Sequence, residues 1–168
     1  MQKRLKPYVA NAMTIVGIFL ALSALYFALQ GLITLVIGLV LISAVIDFFD
    51  GRVARKLTTE SRFGSWLDTI HDFLAFGMVP AVMLVYLYAE SLLYIIAASV
   101  YVMATFLRLI RFMKLRQSNR FTGLPAPAAG VPFVLALSVV LHGGHFGFAV
   151  MAIVFAGLMV APFSIKKP

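Results

Sequence analysis

Four of the six acidic residues in this 168-residue chain stand where a negative charge is expensive. Asp47, Asp50, Asp68 and Asp72 lie at the ends of two apolar runs joined by a short polar loop. A carboxylate at the centre of a membrane helix costs about 2.5–3.5 kcal/mol on insertion scales, so it is a functional candidate by default. Asp47 and Asp50 are three apart and Asp68 and Asp72 four apart, so each pair occupies one helix face. Consecutive antiparallel helices bring both pairs to a similar depth. Four facing carboxylates repel one another unless positive charge lies between them. Hard divalent cations with oxygen ligands, Mg²⁺ or Mn²⁺, meet that need. Two such ions can hold the attacking and the leaving oxygen of a phosphoryl-type displacement. The competing arrangement is an ion-pair network with Arg52, Arg55, Lys56 and Arg62. Gly51, Ala54 and Gly64 weigh against it, because small residues beside the carboxylates let a ligand approach the backbone. For each small residue alone, plain helix packing serves as well. Glu60, in a short basic loop, and Glu90, in a turn, read as solvated charges.

The elements that must position these residues follow from composition. The chain is 62% hydrophobic and 12% charged, against about 45–50% and 25% in a soluble domain. Lipid is therefore the solvent, and a single membrane domain over residues 1–168 is expected. Apolar stretches of membrane-spanning length predict six helices, at 9–29, 32–53, 66–88, 91–112, 126–143 and 146–163. Gln30-Gly31, Ala89-Glu90-Ser91 and His142-Gly143-Gly144-His145 form breaks between them. Trp66 and tyrosines near helix ends read as interfacial anchors, and His142 and His145 as polar turn residues.

The positive charges are segregated. Lys3, Arg4 and Lys6 precede the first helix, and Arg52, Arg55, Lys56 and Arg62 fall at the second connection. Arg108, Arg111, Lys114, Arg116 and Arg120 fall at the fourth, and Lys166 and Lys167 follow the last helix. These are all 14 Lys and Arg residues, and six spans put every one on the same side. The positive-inside rule makes that side cytoplasmic, with both termini and the aspartates facing it. The same segregation argues against a nucleic-acid interface despite the net charge of +8. Cysteine is absent, so thiolate metal sites are excluded. A cleaved signal peptide ending near Ala21-Leu22-Ser23-Ala24 is disfavoured, because the apolar run continues past that point.

The segment from Asp47 to Asp72 reads D-x2-D-G-x2-A-R-x8-G-x3-D-x3-D, with Gly51, Ala54, Arg55 and Gly64 at the non-acidic positions. It resembles, without a gap, the signature of the CDP-alcohol phosphotransferase family. Ala75-Phe76-Gly77-Met78-Val79-Pro80, Arg108-Leu109-Ile110-Arg111-Phe112 and Phe121-Thr122-Gly123-Leu124-Pro125-Ala126-Pro127-Ala128-Ala129 are similar to segments of its phosphatidylserine synthase branch. Asn11 and Thr14 resemble an Asn and a Thr of the family's first helix. The chain departs from the usual pattern at Ala10, His71, Ala75, Met78 and Val79, none of them a signature position.

The resemblance implies an all-α integral membrane protein, a six-transmembrane-helix bundle working as a homodimer. It implies transfer of a phosphatidyl group from CDP-diacylglycerol to a small alcohol, with L-serine the leading acceptor and CMP released. Glycerol 3-phosphate and inositol phosphate are the alternative acceptors. By the family pattern Asp47, Asp50, Asp68 and Asp72 hold two ions, Mg²⁺ or Mn²⁺, and Asp72 is also the catalytic base. Asn11, Asp47, Asp50, Gly51, Ala54, Arg55, Gly64 and Asp68 would bind the CDP moiety. Arg108 and Arg111, three apart on one helix face, either grip a lipid phosphate or acceptor carboxylate or anchor the helix by snorkelling. His71 reads equally as a ligand or as a helix residue without a role. A reading from another class, a small cation transporter, is disfavoured because the aspartates cluster at one depth and the last two helices add none.

Overall fold

The computed structural model describes residues 2–57, 62–88, 90–115, 120–122, 124–139, 146–161 and 164–166. These residues are helical almost throughout. α1 (Gln2–Leu29) and α2 (Ile33–Leu57) form an antiparallel pair. α3 (Arg62–Asp72) runs through a π-helical turn (Phe73–Met78) into α4 (Val79–Tyr88), making one continuous rod. α5 (Leu92–Leu115), α6 (Ala126–Val139) and α7 (Phe146–Val160) complete the set.

Among the described residues, four rods are long and apolar enough to cross a bilayer: Asn11–Leu29, Ile33–Asp50, Phe63–Tyr88 and Leu92–Met113. α6 and α7 are apolar but only 14 and 15 residues long, against about 20 for a straightforward span. The described helices fall within the expected windows 126–143 and 146–163, while residues 140–145, with the His142-Gly143-Gly144-His145 turn, and 162–163 lie outside the described residues, as does Glu60.

Burial is inverted relative to a water-soluble protein. On α1, Ala21, Ala24 and Ala28 are fully buried while Phe19, at 66% exposure, and Tyr26, at 59%, face outward. Ala97, Ala98 and Ala104 on α5 and Ala149, Ala152 and Ala156 on α7 repeat the pattern. Small residues inside and large apolar ones outside are how helices associate in lipid, where close backbone approach rather than water exclusion drives packing.

Local sequence explains the joints. Gly31 ends α1 with φ +72°, and Leu32 N–H donates to Phe27 C=O (3.0 Å) while Gly31 N–H donates to Ala28 C=O (3.2 Å). This pair of bonds is a Schellman cap, which needs the left-handed conformation that glycine adopts freely. At the π turn, Val79 N–H reaches back five residues to Leu74 C=O. Pro80 has no N–H for the carbonyl of Phe76, and the Tyr101 hydroxyl donates to that carbonyl instead at 2.8 Å. α6 meets the same turn closely: a Cβ on Gly130 would lie 2.5 Å from Phe76 Cβ and 2.7 Å from Phe76 Cα.

The structure also holds a short ribbon that the helical pattern does not predict. β1 (Arg120–Thr122) pairs antiparallel with β2 (Ser164–Lys166), in the register Arg120 with Lys166 and Thr122 with Ser164. It ties the segment after α5 to the segment after α7 and makes Arg120 and Lys166 register partners.

Candidate active site

α2 and α3 present their acidic faces to each other beneath α1. One oxygen from each of Asp47, Asp50 and Asp68 lies within 4.8 Å of the other two, and ligand atoms of Asp47, His71 and Asp72 form a second such group. Asp47 belongs to both. Asp50 is buried, at 4% exposure, while Asp47, Asp68 and Asp72 are half-buried. Thr14 on α1 donates its hydroxyl to Asp50 Oδ2 at 2.8 Å. Sequence comparison had singled out Thr14 without a role; the contact supplies one, fixing a carboxylate rotamer across the helix pair.

The donor set suits a hard divalent cation, since it is dominated by converging carboxylate oxygens, with one imidazole beside them and no thiolate. One further observation bears on the fit. Asp72 Oδ1 is buried with no hydrogen-bond partner among the described residues. A buried unsatisfied oxygen costs about 1–3 kcal/mol, and a cation beside it would remove that cost.

Arg108 shows the matching defect with opposite charge. Its Nε and one Nη are buried without a partner among the described residues, and it is near enough to interact electrostatically with Asp72 and Tyr101. Arg111, one turn on, is used differently: its guanidinium donates to the Val160 carbonyl at the end of α7, at 3.3 Å. A cation at a helix C-terminus satisfies an orphan carbonyl and complements the helix dipole. The structure therefore separates two arginines that the i, i+3 spacing paired.

The remaining candidates divide by position. Asn11 sits three residues before Thr14 on α1. Gly64 stands in the first turn of α3, four residues before Asp68. Gly51, Ala54 and Arg55 continue α2 beyond Asp50, where the side chains of Ala54 and Arg55, like those of Lys56 and Arg62, lie outside the described set. Arg52 is exposed and its guanidinium lies 4.0 Å over the Phe48 ring, a cation–π contact rather than a member of the carboxylate network.

The sequence reading missed Ser43. It is an isolated hydroxyl in an apolar run, and the only signal was its i, i+4 spacing to Asp47. In the structure it meets His71, with Ser43 Oγ 2.6 Å from Nε2, while Nδ1 lies 3.3 Å from Asp47 Oδ1.

The family model described as CDP-alcohol phosphatidyltransferase matches residues 7–161. The chain is 35% identical over 146 residues to a CDP-diacylglycerol–serine O-phosphatidyltransferase of Mycobacterium leprae, covering 80% of this chain and 48% of that protein. It is 37% identical over 131 residues to a protein of the same name from Methanocaldococcus jannaschii, covering 78% and 62%. A Bacillus subtilis protein of that name is 40% identical over 95 residues, covering 54% and 52%. The chain spans about half the length of the curated relatives it matches.

Proposed function

We infer an activity from a fixed premise: the chain belongs to the CDP-alcohol phosphatidyltransferase family. It transfers a phosphatidyl group from CDP-diacylglycerol to the hydroxyl of L-serine and releases CMP. The observation that carries this reading is the convergence of Asp47, Asp50, Asp68 and Asp72 from α2 and α3. The names of the relatives favour serine over glycerol 3-phosphate or inositol phosphate.

Two divalent ions, Mg²⁺ or Mn²⁺, would be held by the four aspartates, with Asp47 able to serve both. When bound they neutralise the pyrophosphate and stabilise charge on the entering and leaving oxygens. Asp72 accepts the proton of the acceptor hydroxyl as its oxygen bonds to the phosphorus of the phosphatidyl group and the bond to CMP breaks. Asn11, Gly51, Ala54, Arg55 and Gly64 line the cytidine and its phosphates. Arg108, with two buried nitrogens unpaired among the described residues, takes the serine carboxylate or the lipid phosphate through charge-assisted bonds. An apolar groove lined by Ala12, Met13 and Val16 of α1 and Ile46 of α2 offers an acyl chain a path beside Asp47.

The chain is one domain over residues 1–168, in which α6 and α7 cross together with the four longer rods. The aspartates and both termini face the cytoplasm, and the protein works as a homodimer. The test is CMP release from CDP-diacylglycerol in detergent, with Mn²⁺ or Mg²⁺ and the three acceptors in parallel. Release that needs both metal and serine is expected. Release with another alcohol alone would move the acceptor, and no release from folded protein would sink the transferase reading.

A further inference from the structure

His71 is fully buried, yet both of its ring nitrogens have partners. Asp47 and Ser43 are four residues apart on α2 and share the face that meets His71. An ionised carboxylate only accepts, so Nδ1 carries the ring proton and donates to Asp47. Nε2 is hydrogen-bonded to the Ser43 hydroxyl at 2.6 Å, so both ring nitrogens are engaged. The pocket is shaped for the imidazole. A Cβ on Gly17 of α1 would lie 2.9 Å from Nε2, and Phe76 packs edge-on with ring centroids 5.8 Å apart.

We propose that Ser43 and His71 form a positioning pair that fixes the Asp47 carboxylate for cation binding, through a hydrogen-bond chain from Ser43 to His71 to Asp47. His71 is not itself a ligand, because neither ring nitrogen is left to coordinate. Nor is Ser43 a nucleophile, although the order of groups is that of a Ser-His-Asp triad. Its hydroxyl is fully buried and lies 3.5 Å from the Gly17 carbonyl, with no space for a substrate carbon. Asp47 shares one group with Asp50 and Asp68 and stands beside Asp72 around His71, so fixing its rotation orders the carboxylates of α2 and α3 together. Partners that orient a metal ligand typically matter about 10–100-fold in metal affinity.

The inference rests on the reading that Asp47 holds a cation, and the experiment separates the two. Mn²⁺ binding to the detergent-solubilised protein is followed by electron paramagnetic resonance, beside the thermal midpoint of each variant. Asp47→Asn should abolish tight binding. His71→Ala should weaken it about 10–100-fold. His71→Asn places an amide N–H where Nδ1–H stood and should recover most of that loss, and Ser43→Ala should give a smaller weakening. With ¹⁵N-imidazole-labelled protein, spin-echo spectra should show no directly coordinated nitrogen. Wild-type affinity in folded His71→Ala, with Asp47→Asn defective, would overturn the positioning pair and leave the metal site standing. Unchanged affinity in both would overturn the carboxylate site itself. A coordinated ¹⁵N signal, with His71→Asn as weak as His71→Ala, would make His71 a ligand. Should His71→Ala fail to fold, the echo spectrum and Ser43→Ala decide alone.

Discussion

Replacing Gly130 by alanine adds one methyl at the place where α6 touches the π turn. The added Cβ would sit 2.5 Å from Phe76 Cβ, 2.7 Å from Phe76 Cα and 2.8 Å from Phe76 O. Ordinary contact begins near 3.4 Å, so the two backbones must part by about 0.9 Å. Rotamer change offers little relief, since two of the three obstructing atoms are backbone. Overpacking of this kind costs about 1–3 kcal/mol. The displaced residue is four positions from Asp72 on the same rod, and its carbonyl is held by Tyr101. A shift of about 1 Å at reacting groups can cost about 100-fold in rate. The assay pairs thermal unfolding in detergent with metal-dependent CMP release. Gly157→Ala is the control, because a Cβ there meets nothing within 4 Å among the described residues and removal of a helical glycine is neutral or mildly favourable. Gly130→Ala should lower both the midpoint and kcat while Gly157→Ala lowers neither. Equal behaviour of the two variants would refute the claim that the α6 contact sets the position of Asp72.

Further outcomes follow from the same geometry. Asp72→Asn should cut CMP release by about 10²–10⁴-fold, the range for a lost general base, while CDP-lipid binding persists; normal turnover would remove the base assignment. Tyr101→Phe leaves the Phe76 carbonyl buried without a donor, at about 1–3 kcal/mol, and should lower the thermal midpoint; an unchanged midpoint would mean that another group satisfies the carbonyl. Arg108→Gln should raise the serine KM roughly tenfold or more if it grips the acceptor, as expected for hydrogen bonds to a charged group. An unchanged serine KM with weaker CDP-lipid binding would assign Arg108 to the lipid phosphate instead.

Much of the site was legible because carboxylates in apolar helices have few other uses. The three- and four-residue spacings of Asp47, Asp50, Asp68 and Asp72 fixed their faces, and Gly31 marked the first joint where the positive φ is found. The π turn was not legible: Pro80 shows that one bond is missing, but only the position of Tyr101 shows how the freed carbonyl is satisfied. The Ser43–His71 contact spans two helices and leaves no periodic trace. Arg108 and Arg111 looked alike at i, i+3, and tertiary packing, through the Val160 carbonyl, told them apart. The last two segments were read as full spans from their apolar content, and their described helices, Ala126–Val139 and Phe146–Val160, fall within those windows.

The β1–β2 ribbon bears on biogenesis. All four aspartates are in the chain by residue 72, but β2 begins only at Ser164. At about 5–20 residues per second, the ribosome needs roughly 5–20 s to cover the interval. For that time α1, α2 and α3 can meet in the bilayer without their last neighbour. The ribbon then joins the segments that flank α6 and α7. The acidic cluster's residues are thus all synthesised well before the strand that closes the chain over α6 and α7.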